Sequence, residues 1–203
     1  MKKHALHFLT LFCLLVTVSV GILIFFPTKE DMELYSGFIR LHVVANSDSD
    51  EDQALKLKVR DAVLPAVAEM LADCTDVEDA KLVLSRNSGL LVQTAAQVVG
   101  SESVGQSVSV HLGQEYYPTR GYDGLRLPAG TYESLRIVIG EGAGHNWWCV
   151  LFPPLCVNTA APENQLIEAG FTGSQVKILT ECENPRYVLK FRILEWISSL
   201  GEH

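Results

Sequence analysis

The chain has 203 residues with 16 Lys and Arg against 24 Asp and Glu, a net charge of −8, and it is long enough for one domain with a substantial core. Residues 1–28 contain only Lys2 and Lys3 as formal charges, so the remainder stands at −10. An acidic body without a basic block argues against nucleic acid and against anionic membrane surfaces as its partners.

Met1-Lys2-Lys3-His4 forms a short positive start, and Phe8 to Phe26 is an apolar run interrupted only by Thr10, Thr17, Ser19 and Gly21. That run matches the roughly 20 residues that span a bilayer and exceeds the 7–15 of a cleaved signal core. It predicts an N-terminal membrane segment over residues 1–28, an uncleaved anchor in preference to a signal peptide cut near Ser19–Gly21. The positive-inside rule then places everything after Pro27 outside the cytoplasm. Residues 29–37 read as a polar linker and 38–203 as one extracytoplasmic domain.

Within that domain, Phe38 to Asn46 is rich in β-branched and apolar residues and predicts a strand running into Asn-Ser-Asp turn chemistry. Asp50 with Gln53 has the form of a capping box opening a helix toward Met70, which Pro65 should kink or split. Asp76 should cap a second helix whose stripe runs Val77, Ala80, Leu84, Leu91, Ala95 and Val98 and ends at Gly100. The period then changes from helical to alternating at Ser107–Leu112, and Thr131–Ile139 continues the strand pattern between Gly-rich turns. Asn146–Phe152 follows, expected to pair antiparallel with Arg136–Ile139. Residues 157–182 read as an irregular excursion, and Pro185 opens a helix to Leu200 with two apolar stripes, Tyr187/Phe191/Leu194 and Leu189/Ile193/Trp196/Leu200. The fold class is therefore α+β: one domain with an antiparallel or mixed sheet, two central helices and a C-terminal helix.

Local propensity explains residues 144–156 least, because Trp147, Trp148, Pro153, Pro154, Cys149 and Cys156 crowd together there. In an extended segment Trp147 and Trp148 face opposite ways, so one ring can enter a core while the other meets a partner. The plain reading is a core strand ending in a rigid turn; the sharper one is a recognition corner. Cys74, Cys149, Cys156 and Cys182 permit three pairings, of which Cys149–Cys156, closing a short loop over Pro-Pro, is favoured. Cys149 with His42 or His111, oriented by Asn46, has the parts of a thiol hydrolase, although no spacing brings them together. His145, Cys149 and Cys156 lack a defined fourth metal ligand. Asp48, Asp50 and Asp52 imitate a calcium loop, but Gln53 and Val59 stand where its Gly and Glu belong. Neither a metal nor a cofactor is expected.

Ile39-Arg40-Leu41-His42-Val43-Val44-Ala45-Asn46-Ser47-Asp48 and the following Asp52–Val63 resemble the N-terminal signature of the stage II sporulation protein R family. Leu127–Tyr132, Leu135–Gly140 and Asn146–Cys156 resemble its second block. The resemblance implies a signal of endospore formation, exported from the forespore into the intermembrane space. There it would trigger a membrane-embedded aspartic protease that matures the sigma-E precursor, by binding and without catalysis of its own. It marks Arg40, His42, Asn46, Asp48, Asn146, Trp147 and Trp148 as candidate partner-binding or structural positions. Lys56, Lys58, Arg60 and Asp61 match as well, with no role attached. An envelope-acting thiol hydrolase is the alternative.

Overall fold

A computed structural model describes residues 2–26, 28–29, 33–102, 105–122, 124–155, 162–181 and 183–200, with side chains from His7 onward except at 185, 186 and 198. Helix α1 (Lys2–Leu23) takes in the charged start and most of the apolar run, and its large side chains from Phe8 to Leu23 are exposed. Among the described residues no helix is long and apolar enough to cross a membrane. A 3-10 turn at Glu33–Gly37 occupies the expected linker.

Strand β1 (Ile39–Val44) is buried at every position: Ile39, Leu41 and Val43 supply one apolar face, and Arg40 and His42 are buried on the other. Ser49, not Asp50, caps helix α2 (Asp50–Met70): its Oγ accepts from the backbone N–H of Asp52. Gln53 is thereby free to donate to Ser47 O. Pro65 lies inside α2 without splitting it. Asp76 caps α3 (Val77–Arg86) as expected. The expected single second helix breaks at Asn87, whose Nδ2 donates to Val83 O and closes α3, and α4 (Ser88–Glu102) continues past Gly100.

Strands β2 (Val108–Tyr117), β3 (Arg120–Tyr122), β4 (Leu125–Leu127), β5 (Gly130–Ile139) and β6 (Asn146–Phe152) follow. Four of them form one mixed sheet in the order β2-β5-β1-β6, while β3 and β4 make a separate hairpin. Of the two sheet types expected the mixed one is found, and the expected antiparallel pairing of Arg136–Ile139 with Asn146–Phe152 is incorrect. The first strand inserts between the two, parallel to β5 and antiparallel to β6. Its helical crossover lets it lie beside a strand distant in sequence, a placement that short-range turn signals do not encode. The predicted excursion holds two short helices, α5 (Pro162–Glu168) and α6 (Gly173–Thr180), the latter opened by a Thr172/Gln175 capping box. Helix α7 (Pro185–Leu200) ends the described chain. Its Tyr187/Phe191/Leu194 stripe is buried, whereas Leu189, Trp196 and Leu200 are exposed.

Side chains alternate across the sheet, so its two faces are separate environments. One carries Ile39, Leu41, Val43, Leu135, Ile137, Cys149 and Leu151 against α2, α3 and α4. The other packs Tyr117, Tyr132 and Val150 against the hairpin and α5–α7. Arg40, His42, Glu115 and Arg136 lie on this second face, whereas Glu133 lies on the first and pairs with Lys81 of α3 at 3.2 Å.

Candidate functional site

Arg40 and His42 leave β1 on the second face, and the register sets each beside defined neighbours: Arg40 against Ser134 and Val150, His42 against Arg136 and Trp148. Arg40 is fully buried. Its guanidinium carbon lies 4.0 Å from the Tyr117 ring centroid, 4.9 Å from that of Tyr132 and 5.8 Å from that of Tyr122. Nη2 donates to Tyr122 Oη at 2.6 Å, while Nε and Nη1 find no acceptor among the described residues. The cation is thus held by π faces and one phenol, with no carboxylate in ion-pair contact among the described residues.

His42 donates from Nδ1 to Glu115 Oε2 at 2.8 Å, and its ring sits edge-on to Trp148 at 5.1 Å. Ser134 Oγ also donates to Glu115, at 3.0 Å, and Tyr117 Oη is 2.6 Å from Ser134 Oγ. Arg136 Nη1 approaches Glu115 Oε1 at 3.5 Å. Burial pushes the Glu115 carboxyl up, but the His42 bond and charge, Ser134 and Arg136 together outweigh it and leave the group below the ordinary carboxylate range. Burial raises the phenols of Tyr117 and Tyr132, so both stay protonated.

A groove of about 390 Å³ opens beside this network, between residues 120–122 of β3 and residues 146–149 of β6. Two tryptophans flank the edge of β6, each under a guanidinium: Arg60 lies 5.0 Å from the Trp147 ring and Arg120 lies 4.7 Å from that of Trp148. The indole N–H of Trp148 has no acceptor among the described residues.

The structure brings together Arg40, His42 and Trp148 from the expected set. Asn46 and Asp48 instead tie the loop after β1 to the start of α2 and to the turn before β6. Asn46 Nδ2 and Ser47 Oγ donate to Asp52 Oδ2, and Gln106 Nε2 donates to Oδ1. Asp48 Oδ1 accepts from the backbone N–H of His145 and from its Nδ1. The Ser47, Gln106 and Asn46 bonds hold Asp52 below its usual range, and the His145 bonds do the same for Asp48. Lys56, also buried, donates to Gln53 Oε1 and His145 O, and burial lowers its ammonium against the opposing charge of Asp48. These acidic residues are consumed by the turn they build.

Cys149 pairs in register with Leu41 and so lies on the helix-packed face, opposite His42. It is buried and disulfide-bonded, whereas Cys13 and Cys74 are free. The expected partner Cys156 lies outside the described residues, as does Cys182. The Cys149/His42/Asn46 thiol constellation is not assembled: the sheet stands between sulfur and imidazole, and the sulfur is not a thiol. Among the described residues no group of three His, Cys, Asp or Glu side chains is placed to hold a metal ion.

Glu115, Tyr117, Arg120, Tyr122, Tyr132 and Ser134 were not singled out from sequence. Their only local sign is alternation, Glu115-x-Tyr117 and Tyr132-x-Ser134-x-Arg136, which puts each set on one face.

Fold and site together define an α+β domain with a mixed four-stranded sheet, a sealed aromatic and ionic face, and an open tryptophan-bearing edge. Residues 36–161 match the family described as Stage II sporulation protein R. Stage II sporulation protein R of Bacillus subtilis (strain 168) is 36% identical over 180 residues, an overlap covering 80% of each chain. The chain belongs to the stage II sporulation protein R family. No solved structure shows a significant match.

Proposed function

We propose that this chain is an exported signal of endospore formation that activates a membrane-embedded aspartic protease and so matures the sigma-E precursor. It acts in the intermembrane space after export from the forespore, held to or passed through the membrane by its N-terminal apolar segment. Its action is binding: the domain engages one state of the protease better than the other, and that differential affinity shifts the population. Family membership supports the sporulation role. The observation that carries the binding role is the Trp147–Trp148 edge with its open groove, since tryptophan and arginine are favoured interface anchors. The alternative thiol hydrolase has lost its geometric basis, because Cys149 and His42 occupy opposite faces. In this reading Cys149 pairs with Cys156 and braces the turn that ends β6.

The test is processing of the sigma-E precursor in a non-sporulating host that carries the candidate protease. The chain is supplied as wild type, as Cys149→Ala, or not at all, with exported levels matched because losing a disulfide costs about 2–5 kcal/mol. Processing that requires the chain and survives Cys149→Ala is expected. Processing indifferent to the chain refutes the proposal.

A further inference from the structure

The groove beside β6 has a shape that specifies its occupant. Successive side chains of a strand point to opposite faces, so a cavity bordered by four consecutive residues, 146–149, runs along the strand's edge and not over one face. β6 is the terminal strand of its sheet, pairing only with β1, and the opposite wall, β3, pairs only with β4. Two strand edges therefore border one opening, and each has a side without a strand partner among the described residues. Gly121, in the β3 wall, has open space where a side chain would stand.

Natural edge strands are blunted by charge, proline or a bulge on the outer side. Over Asn146–Cys149, where the groove lies, β6 has none: it carries no charge and no proline there, Asn146–Trp148 are exposed or half-buried, and its register shift against β1 comes later, where Leu151 is skipped between Val150 and Phe152. The other edge strand, β2, carries His111 and Glu115 within it and Pro118 just beyond. An unblunted apolar edge beside a groove is the arrangement by which one protein adds a strand from another.

The charge of the rim narrows the choice. Arg60 is paired with Asp61 at 2.7 Å, but Arg120 is exposed and stands within ion-pair distance of no carboxylate among the described residues, in a chain whose net charge is −8. Beneath it the Trp148 ring carries the guanidinium, 4.7 Å from its centroid. We infer that the free edge of β6 receives an extended segment of a partner protein, adding as a strand between β6 and β3, with an Asp or Glu side chain set against Arg120. This deepens the binding role proposed above and rests on it only for the identity of the partner.

The test is selection of a random heptapeptide display library against the purified full-length chain, followed by binding of the enriched peptides to wild type, Arg120→Lys and Arg120→Glu. Enriched peptides are expected to be β-branched with an acidic residue, to bind Arg120→Lys nearly as well as wild type, and to bind Arg120→Glu about tenfold or more weakly. Arg120 is exposed, and an unchanged thermal midpoint verifies that the reversal leaves the fold intact; Arg120→Gln replaces it if the midpoint falls. No enrichment, no acidic preference, or equal binding to Arg120→Glu overturns the inference. In the processing assay, a loss of about tenfold for Arg120→Glu supports it, and full activity of that variant with active wild type overturns it while leaving the activator role standing. If wild type elicits no processing, the activator role falls and the peptide selection alone decides strand addition.

Discussion

Replacing Arg40 by methionine separates an architectural cation from a functional one. The guanidinium is fully buried, with one hydrogen bond to Tyr122 and close stacking on Tyr117 and Tyr132. A charge-assisted bond contributes about 1.5–3 kcal/mol, and each desolvated cation–π contact contributes about 2 kcal/mol. Against these stand two nitrogens without acceptors, at about 1–3 kcal/mol each, and a dehydration penalty of several kcal/mol for the cation. The opposing sums agree to within a few kcal/mol, and methionine occupies the stem's volume with no polar atom to satisfy. Arg40→Met is therefore expected to change stability by less than about 2 kcal/mol in either direction, roughly 4–8 °C in Tm for a chain of this length. Arg40→Ala, which leaves a cavity among the tyrosines, should lose about 2–5 kcal/mol. Thermal melts at fixed pH measure both. A methionine variant that loses more than about 4 kcal/mol refutes the reasoning, because the buried cation would then be a net stabiliser beyond what its contacts supply. If it melts like wild type and fails in the processing assay, the arginine serves the partner and not the fold.

Asp52 accepts three side-chain hydrogen bonds that depress its pKa. A depressed value means that its stabilisation is complete above the unfolded pKa of about 3.9 and is lost as pH falls through the folded value. Asp52→Asn should cost about 1–3 kcal/mol near neutral pH, and its Tm deficit should close below about pH 3.9; a deficit constant with pH contradicts this. A Cβ on Gly144 meets the backbone carbonyl of Ser47, which cannot swing aside as a side chain does. Gly144→Ala should therefore lose more than about 1 kcal/mol in urea unfolding, and neutrality would show that the loop yields. Thr172→Ala removes the Oγ1 that accepts from the Gln175 backbone N–H, leaving the reverse bond from the Thr172 N–H to Gln175 Oε1, with an expected loss of about 1 kcal/mol, and calorimetry finding no loss would show that α6 is held without its cap.

Periodicity made most elements legible. Phe38–Asn46, Ser107–Leu112 and Asn146–Phe152 alternate or run apolar as strands do, and each lies on an observed strand. What short windows could not supply was adjacency. β1 lies between β5 and β6 because of its crossover, and nothing in Arg136–Ile139 or Asn146–Phe152 announces a third strand between them. The break at Asn87 was hidden for a different reason: the apolar stripe continues through it, and only a side-chain bond to Val83 O closes the first helix. The site was half legible on the same grounds. Arg40-x-His42 lies in one strand and was singled out, whereas Glu115, Tyr117 and Ser134 reach Arg40 and His42 only through the β2-β5-β1 order. Cys149 and His42 lie on opposite faces of the sheet. Their opposition is a matter of register, and a one-residue slip in β6 would have put them on one face.

That same register explains why the two halves of the domain divide their work. The face bearing Ile39, Leu41 and Cys149 is covered by α2–α4 with mainly aliphatic packing, and its aliphatic positions would tolerate substitutions of like volume. The opposite face cannot be treated so freely, since Arg40, His42 and Glu115 need both their partners and the exclusion of water to hold their geometry. Leu166, Val176, Leu179, Tyr187, Phe191 and Leu194 supply that exclusion by packing with Tyr117 and Tyr132. All six lie beyond residue 161, where the family match ends. The matched segment carries the named site and the later helices dry it, so their identities are constrained by volume and apolarity more than by chemistry.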